Sequence, residues 1–126
     1  MVLDASAIIA LVLRETGYEA VTDVLARGDV RISAVNASEA LTRLQRVGLD
    51  PRHMREAMER LGIDIIDFDA DDATLAAELA PKVRDLGLSL GDRACLALGR
   101  RLGVAVVTAD RAWAERDLGV EVVLIR

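Results

Sequence analysis

Three acidic residues stand just beyond predicted β-strands. Asp4 directly follows the apolar pair Val2–Leu3, Asp110 follows the apolar run Val104–Thr108, and Glu39 lies one helical turn beyond another strand. In an open parallel sheet, ligands bind outside the carboxyl ends of the strands. We therefore expect these carboxylates to face one pocket at one edge of the sheet.

A fourth acid, Asp92, opens the helix that leads into the strand before Asp110. Its position at the same edge does not follow from strand order alone. Carboxylates brought together repel one another, and some become protonated unless a cation compensates them. Mg²⁺, with Mn²⁺ as a substitute, prefers oxygen ligands and keeps waters for a substrate. Such a site suits phosphodiester hydrolysis.

Helix capping explains the same residues without any catalytic role. The segments Asn36–Glu39 and Ser89–Asp92 both have the pattern of a capping box, in which a polar residue and an acid three positions later bond to each other's backbone. Asp4 and Asp110 are also well placed to cap the helices that follow them. Both interpretations stay open at this stage.

Alternating strands and helices must position these residues, and they predict an α/β fold with about five parallel strands and helices on both faces. The strands are expected at Val2–Leu3, Val30–Val35, Ile63–Phe68, Val104–Thr108 and Glu121–Ile125. The helices are expected at Ala5–Arg14, Gly17–Arg27, Asn36–Val47, Pro51–Leu61, Asp71–Leu86 with a break or kink at Pro81, Gly91–Leu102 and Arg111–Asp117. The most apolar strands, Val2–Leu3 and Val104–Val107, should be central.

Composition limits the remaining possibilities. The 126 residues, 52% hydrophobic and 29% charged, predict one domain over residues 1–126. No apolar run approaches the roughly 20 residues of a membrane span, and no secretory signal is recognisable, so we expect a cytoplasmic protein. The net charge of −5 argues against a protein held to nucleic acid by a basic surface. A single histidine, His53, excludes a two-histidine metal site.

Four segments resemble the PIN domain family, and within it the VapC-type toxins of bacterial toxin–antitoxin pairs. They occur in the expected order and span essentially the whole chain: Val2–Ala7 (VLDASA), Asn36–Glu39 (NASE), Leu88–Ala94 (LSLGDRA) and Val107–Trp113 (VTADRAW). The resemblance implies a PIN-like fold and a ribonuclease that depends on Mg²⁺ or Mn²⁺.

Carried over position by position, the resemblance makes Asp4, Glu39, Asp92 and Asp110 the catalytic acids. It makes Asp4, Asp92 and Asp110 the metal ligands, of which the first two are the most direct. Asp110 and Glu39 would complete the site, in part through waters, and one of them could position or deprotonate the attacking water.

The resemblance extends to neighbouring positions and to partners. Ser6 and Thr108 match small hydroxyl positions and would contact a site water or the substrate, although capping or packing explains them equally well. Family members commonly form homodimers and pair with a small antitoxin that blocks the pocket. The expected partners are therefore an RNA substrate, an antitoxin protein and a second copy of the chain, with no membrane.

Three other functions remain as alternatives. The first is a noncatalytic binding module on the same fold, and the second is a PIN nuclease that processes RNA outside a toxin–antitoxin pair. The third is a phosphoaspartate enzyme or receiver domain. The sequence disfavours the third, because Asp4-Ala-Ser6 lacks a second acid and the only lysine, Lys82, lies in a predicted helix.

Overall fold

The computed structural model describes residues 1–126, which form five short strands and six α-helices. The strands are β1 (Val2–Leu3), β2 (Val30–Ser33), β3 (Ile63–Ile66), β4 (Val106–Thr108) and β5 (Val122–Leu124). The helices are α1 (Ala5–Leu13), α2 (Tyr18–Arg27), α3 (Ala34–Arg46), α4 (Pro51–Arg60), α5 (Ala70–Val83) and α6 (Leu90–Leu102), with 3₁₀ helices at Arg84–Leu86 and Arg111–Glu115. None of the helices combines the length and apolarity needed to cross a bilayer.

All five strands are parallel, in the order β3-β2-β1-β4-β5. The predicted α/β class with a five-stranded parallel sheet is confirmed. β1 occupies the centre and β4 lies next to it, where Val2 pairs with Val106 and Leu3 with Val107. Because the strands run the same way, the residues that follow β1 and β4 emerge at one edge of the sheet.

The core consists of two hydrophobic clusters. Neighbouring strand residues enter different clusters: Leu3 and Val107 belong to the larger one, and Val2 and Val106 to the smaller one. Successive side chains of a strand point to opposite faces of a sheet, so the clusters lie on its two faces. Helices α1 to α4 cover the larger cluster, whereas α5, α6 and the second 3₁₀ helix cover the smaller one.

An ion pair between a buried carboxylate and an exposed guanidinium joins α5 to α6. Asp72, only 1% exposed, accepts hydrogen bonds from Arg101 Nε at 2.8 Å and Nη2 at 3.1 Å. The same carboxylate completes a capping box with Asp69 at the start of α5. This pairing orients α6, the helix that carries Asp92.

The predicted start of α3 was wrong. The helix begins at Ala34, because the Ser33 hydroxyl caps it by accepting from the Val35 amide at 3.3 Å. Asn36 therefore lies inside the first turn and does not open the helix. Pro81 also ends no helix: α5 continues to Val83 before the chain tightens into a 3₁₀ turn.

Candidate active site

Asp4 is the best-held carboxylate at the carboxyl edge of the sheet. It follows β1, caps α1 and is only 4% exposed. Its Oδ2 accepts hydrogen bonds from the Ser6 amide at 3.3 Å, the Ser6 hydroxyl at 2.6 Å and the Thr108 hydroxyl at 3.1 Å. The capping role expected for Asp4 is thus real, but a cap alone does not need the additional donors.

The other oxygen of Asp4 has a single donor. Asn36 Nδ2 donates to Asp4 Oδ1 at 3.2 Å and to the carbonyl oxygen of Gly91 at 2.9 Å. A carboxylate oxygen accepts more than one hydrogen bond, so Oδ1 retains capacity for a further ligand, whereas Oδ2 already has three donors. Oδ1 is therefore the oxygen of Asp4 that is suited to bind a cation.

The hydroxyls of Ser6 and Thr108 connect Asp4 to the end of β4. Besides donating to Asp4, Ser6 Oγ accepts from the Ala109 amide at 3.0 Å, and Thr108 Oγ1 accepts from the Asp110 amide at 3.1 Å. Their observed contacts hold the acids in place. The expected contact of these hydroxyls with a site water or a substrate stays a prediction.

Asp92 combines a structural and an electrostatic role. Its carboxylate and Ser89 form the expected capping box at the start of α6, with Ser89 N donating to Asp92 Oδ2 at 2.7 Å. The pKa of Asp92 is nevertheless raised, first by burial and then by the charges of Asp4 and Asp110, although the hydrogen bonds from Ser89 oppose the shift. The hydrogen bonds of the cap therefore do not offset the combined effect of burial and neighbouring negative charge on the pKa of Asp92.

Glu39 lies one turn beyond Asn36 on α3, against the start of α6. A Cβ added at Gly91 would lie 2.5 Å from Glu39 Oε2, so the absence of a side chain at Gly91 makes room for this carboxylate. Burial, followed by the charges of Asp4 and Asp92, raises the pKa of Glu39, and Arg43 opposes the shift. Glu39 therefore belongs to the same electrostatic site as Asp4 and Asp92.

Asp110 is the most loosely connected of the four acids. It is exposed and caps the 3₁₀ helix at Arg111–Glu115, accepting from the Ala112 amide at 3.0 Å. Its charge contributes to the raised pKa of Asp92. The structure thus brings all four predicted acids into one electrostatic neighbourhood, with Asp4 buried at its base and Glu39 and Asp110 at its exposed rim.

The donor set fits a hard divalent cation bound largely through water. No three acidic, histidine or cysteine side chains stand close enough together to form a complete cage. Mg²⁺ is usually held by one or two carboxylates and keeps several waters, so a cage of this kind is not required. The acids therefore supply the oxygens that such an ion needs, with Asp4 Oδ1 the one that has free capacity.

Two residues of this site were not identified from the sequence as functional. Asn36 was interpreted as a helix cap, and Gly91 as part of a helix start. The spacing of Asn36 and Glu39, three residues apart, places them on one face of α3, which was an available signal. The role of Gly91 depends on how closely α6 approaches α3, and no local pattern encodes that approach.

The comparisons with solved structures agree on the fold. A toxin–antitoxin complex from Klebsiella pneumoniae aligns with a TM-score of 0.76 and 19% identity, covering 99% of this chain and 97% of that chain. The sarcin–ricin loop cleaving toxin VapC20 from Mycobacterium tuberculosis aligns at 0.72 and 20% identity, covering 94% and 97%. FitAcB from Neisseria gonorrhoeae aligns at 0.68 and 24%, covering 98% and 96%.

The comparison with curated proteins gave no match. The family comparison did: the PIN domain matches residues 1–118, which include all four acids and the residues that bond to Asp4. This chain belongs to the PIN domain family and has the fold of VapC-type toxins.

Proposed function

We propose that this protein is an endoribonuclease that depends on Mg²⁺ or Mn²⁺ and acts as the toxin of a toxin–antitoxin pair. The observation that carries the proposal is the grouping of Glu39, Asp92 and Asp110 around the hydrogen-bonded Asp4, where burial and the neighbouring carboxylates together raise the pKa values of Glu39 and Asp92. Uncompensated negative charge of this kind attracts a divalent cation and, through it, a phosphodiester.

The proposed roles follow from how each acid is held. Asp4 and Asp92 would be the direct metal ligands, since Asp4 Oδ1 has free capacity and Asp92 is fixed by its cap. Asp110, exposed at the rim, would complete the metal site. A bound Mg²⁺ or Mn²⁺ would orient the phosphate and lower the pKa of an attacking water.

Glu39 is the acid best suited to take a proton from that water. Its raised pKa brings it closer to neutral pH, where a general base works most efficiently. Glu39 also projects from a helix side, free of capping bonds, so its carboxylate can accept a proton without loss of a helix start.

The toxin assignment rests on likeness of the whole fold. Solved structures that cover nearly all of this chain include toxin–antitoxin complexes and a toxin that cleaves the sarcin–ricin loop. On that basis we propose a small antitoxin protein and a second copy of this chain as partners, RNA as substrate, and action in the cytoplasm.

Cleavage of a mixed RNA pool by the purified, partner-free protein tests the proposal. Activity should require Mg²⁺ or Mn²⁺, cease in EDTA, and fall by about a hundredfold or more in Asp4→Asn and Asp92→Asn, because these variants weaken the metal site. Asn is as effective an N-cap residue as Asp at position 4, and Asn at position 92 keeps an oxygen that can accept from the Ser89 amide, so both variants should fold. Asp64→Asn, at an exposed position of β3, is the matched control and should retain full activity.

The outcomes separate the candidate functions. Full activity in Asp92→Asn would contradict the proposed site, and a folded protein that neither cuts RNA nor binds either metal would favour the noncatalytic binding module. A second experiment expresses the protein in cells and measures growth. Growth arrest by the wild type but not by Asp4→Asn would support a toxin. Metal-dependent cleavage without growth arrest would favour an RNA-processing nuclease.

A further inference from the structure

A buried amide on α3 links three elements of the candidate site. Asn36 is fully buried, and its NH₂ group donates both to Asp4 Oδ1, beyond β1, and to the carbonyl oxygen of Gly91, in the first turn of α6. Gly91 immediately precedes Asp92, and Glu39 lies one turn further along α3. This one side chain therefore bonds to Asp4 and to the residue before Asp92, and it lies on the same helix as Glu39.

The orientation of this amide is determined by its neighbours. Both oxygens that face the NH₂ group accept hydrogen bonds and cannot donate them. A reversed amide would place Asn36 Oδ1 against Asp4 Oδ1 and the Gly91 carbonyl, which is repulsive. The two acceptors thus require two donors from one side chain, and an amide supplies them in the available space.

With the amide in this orientation, the oxygen of the Asn36 side chain is left without a partner. Asn36 Oδ1 is buried and has no hydrogen-bond donor. A buried polar atom without a partner is unfavourable for folding. An apolar side chain would carry no unpaired oxygen, so burial alone does not explain an asparagine at this position.

No other residue makes the same connection. Ser6 and Thr108 act on Asp4 Oδ2, from the β1 and β4 side of the site. Asn36 is the only donor to Oδ1, the oxygen with remaining capacity, and the only side chain that joins Asp4 to α6.

We infer that Asn36 is a positioning residue: it orients Asp4 Oδ1 and holds the start of α6 beside it, so that Asp4 and Asp92 present their oxygens to one cation. This inference rests on the proposed function, since it concerns the geometry of the same carboxylates. It assigns Asn36 no contact with the metal or the RNA.

Mn²⁺ binding to the purified protein without RNA tests the inference, measured by calorimetry and by the electron paramagnetic resonance of the free ion. Asn36→Leu keeps the branched shape and removes both donors. It should weaken Mn²⁺ binding by about 10- to 100-fold, the range expected when a hydrogen-bond partner of a metal ligand is lost. The Mn²⁺ concentration for half-maximal cleavage should rise by the same factor. Asn36→Ala, which is smaller and easily accommodated, should show the same direction.

Leu44→Val on the same helix is the matched control. Leu44 is buried two turns from Asn36, so its truncation loosens the core without removing a contact to an acid. At equal thermal stability in EDTA, the Asn36 variants should bind Mn²⁺ more weakly than Leu44→Val. Equal affinities for all three variants, or wild-type affinity in Asn36→Leu and Asn36→Ala, would overturn the inference.

The same measurements distinguish the failure of this inference from that of the proposed function. If the wild type binds Mn²⁺ and cuts RNA while the Asn36 variants do so with unchanged affinity, only the positioning role is wrong. If the folded wild type neither binds Mn²⁺ nor cuts RNA, the nuclease proposal fails, and the inference fails with it.

Discussion

At the scale of single residues, the carboxylates that form the site reduce the stability of the metal-free fold. Burial and neighbouring carboxylates raise the pKa values of Glu39 and Asp92, so their ionised forms are unfavourable in the folded, metal-free protein. The hydrogen bonds from Ser89 stabilise the ionised form of Asp92 and so oppose this effect. For Glu39, only the charge of Arg43 opposes it. The destabilising effect of an ionised carboxylate should therefore be easiest to measure at Glu39.

Replacement of Glu39 by glutamine should stabilise the metal-free protein at neutral pH. A raised pKa in the folded state means that the ionised Glu39 destabilises the fold. The wild type therefore loses stability as the pH rises from the ordinary glutamate range through the raised value. Glu39→Gln removes that loss. The variant should therefore be more stable than the wild type above the raised pKa of Glu39, and no more stable than the wild type below the ordinary pKa of glutamate.

Urea unfolding in EDTA, at acidic and at neutral pH, measures this difference. Glu78→Gln, at an exposed position of α5, controls for the substitution itself. A Glu39→Gln variant that is less stable than the wild type at neutral pH would show that the carboxylate makes a favourable contact. Loss of RNA cleavage in the same variant would accompany the gain in stability under the proposed function.

Asp4, Glu39 and Asp110 could be predicted at one edge of the sheet because their places after strands are local information, whereas Asp92, at the start of α6, was assigned to the site through the family resemblance. Asn36 could be misread because a polar residue three positions before an acid also looks like a cap, and Ser33, three residues earlier, performs the capping. Which of two polar residues caps a helix depends on where the preceding strand ends. That end is set by pairing with β1 and β3.

At the scale of elements, the site depends on the close approach of α3 and α6. Gly91 supports this approach twice, since its carbonyl accepts from Asn36 and its missing side chain leaves room for Glu39. Gly99, in the same helix, serves the core instead: a Cβ there would lie 2.5 Å from Val106 Cγ1. The two glycines of α6 therefore offer a direct comparison.

Gly91→Ala should separate activity from stability. The added methyl group displaces the flexible end of Glu39, while alanine favours a helix by up to about 1 kcal/mol over glycine. We expect unchanged or slightly raised stability and reduced RNA cleavage. Gly99→Ala should do the reverse, losing about 1–3 kcal/mol through overpacking while Mn²⁺ binding is retained.

Thermal unfolding and RNA cleavage of both variants decide the matter. Wild-type cleavage by Gly91→Ala would mean that Glu39 can move without consequence. The succession of helices and strands could be predicted from the alternating apolar runs. The different roles of Gly91 and Gly99 could not be predicted in this way. They depend on which side of α6 meets α3, and residues 55 apart in the chain define that contact.

At the scale of the whole molecule, the central strand joins the two hydrophobic clusters. Val2 packs into the smaller cluster and Leu3 into the larger one, so neither cluster can be completed without β1. The prediction of a single domain over residues 1–126 has a direct consequence for unfolding. Both clusters should be lost in one transition.

The chain offers a probe for this prediction. Trp113, the only tryptophan, is buried in the smaller cluster, whereas far-ultraviolet circular dichroism reports mainly on the helices. The two signals should give one midpoint in urea. Leu44→Ala in the larger cluster should lower the free energy of unfolding by about 2–5 kcal/mol and shift both signals equally. A Trp113 transition that stays in place would indicate two independently folding units.

The bond between Thr108 and Asp4 spans 104 residues, and the one between Asn36 and Gly91 spans 55. During synthesis, a nascent chain that has not yet exposed β4 lacks Asp110 and the Thr108 hydroxyl that donates to Asp4. Asp4 is then present with its Ser6 donors, but its Thr108 donor and the pairing of β1 with β4 are still missing. Under the proposed function, the nascent chain would therefore be unable to cut the ribosome or the message that produces it until β4 has been synthesised and paired with β1.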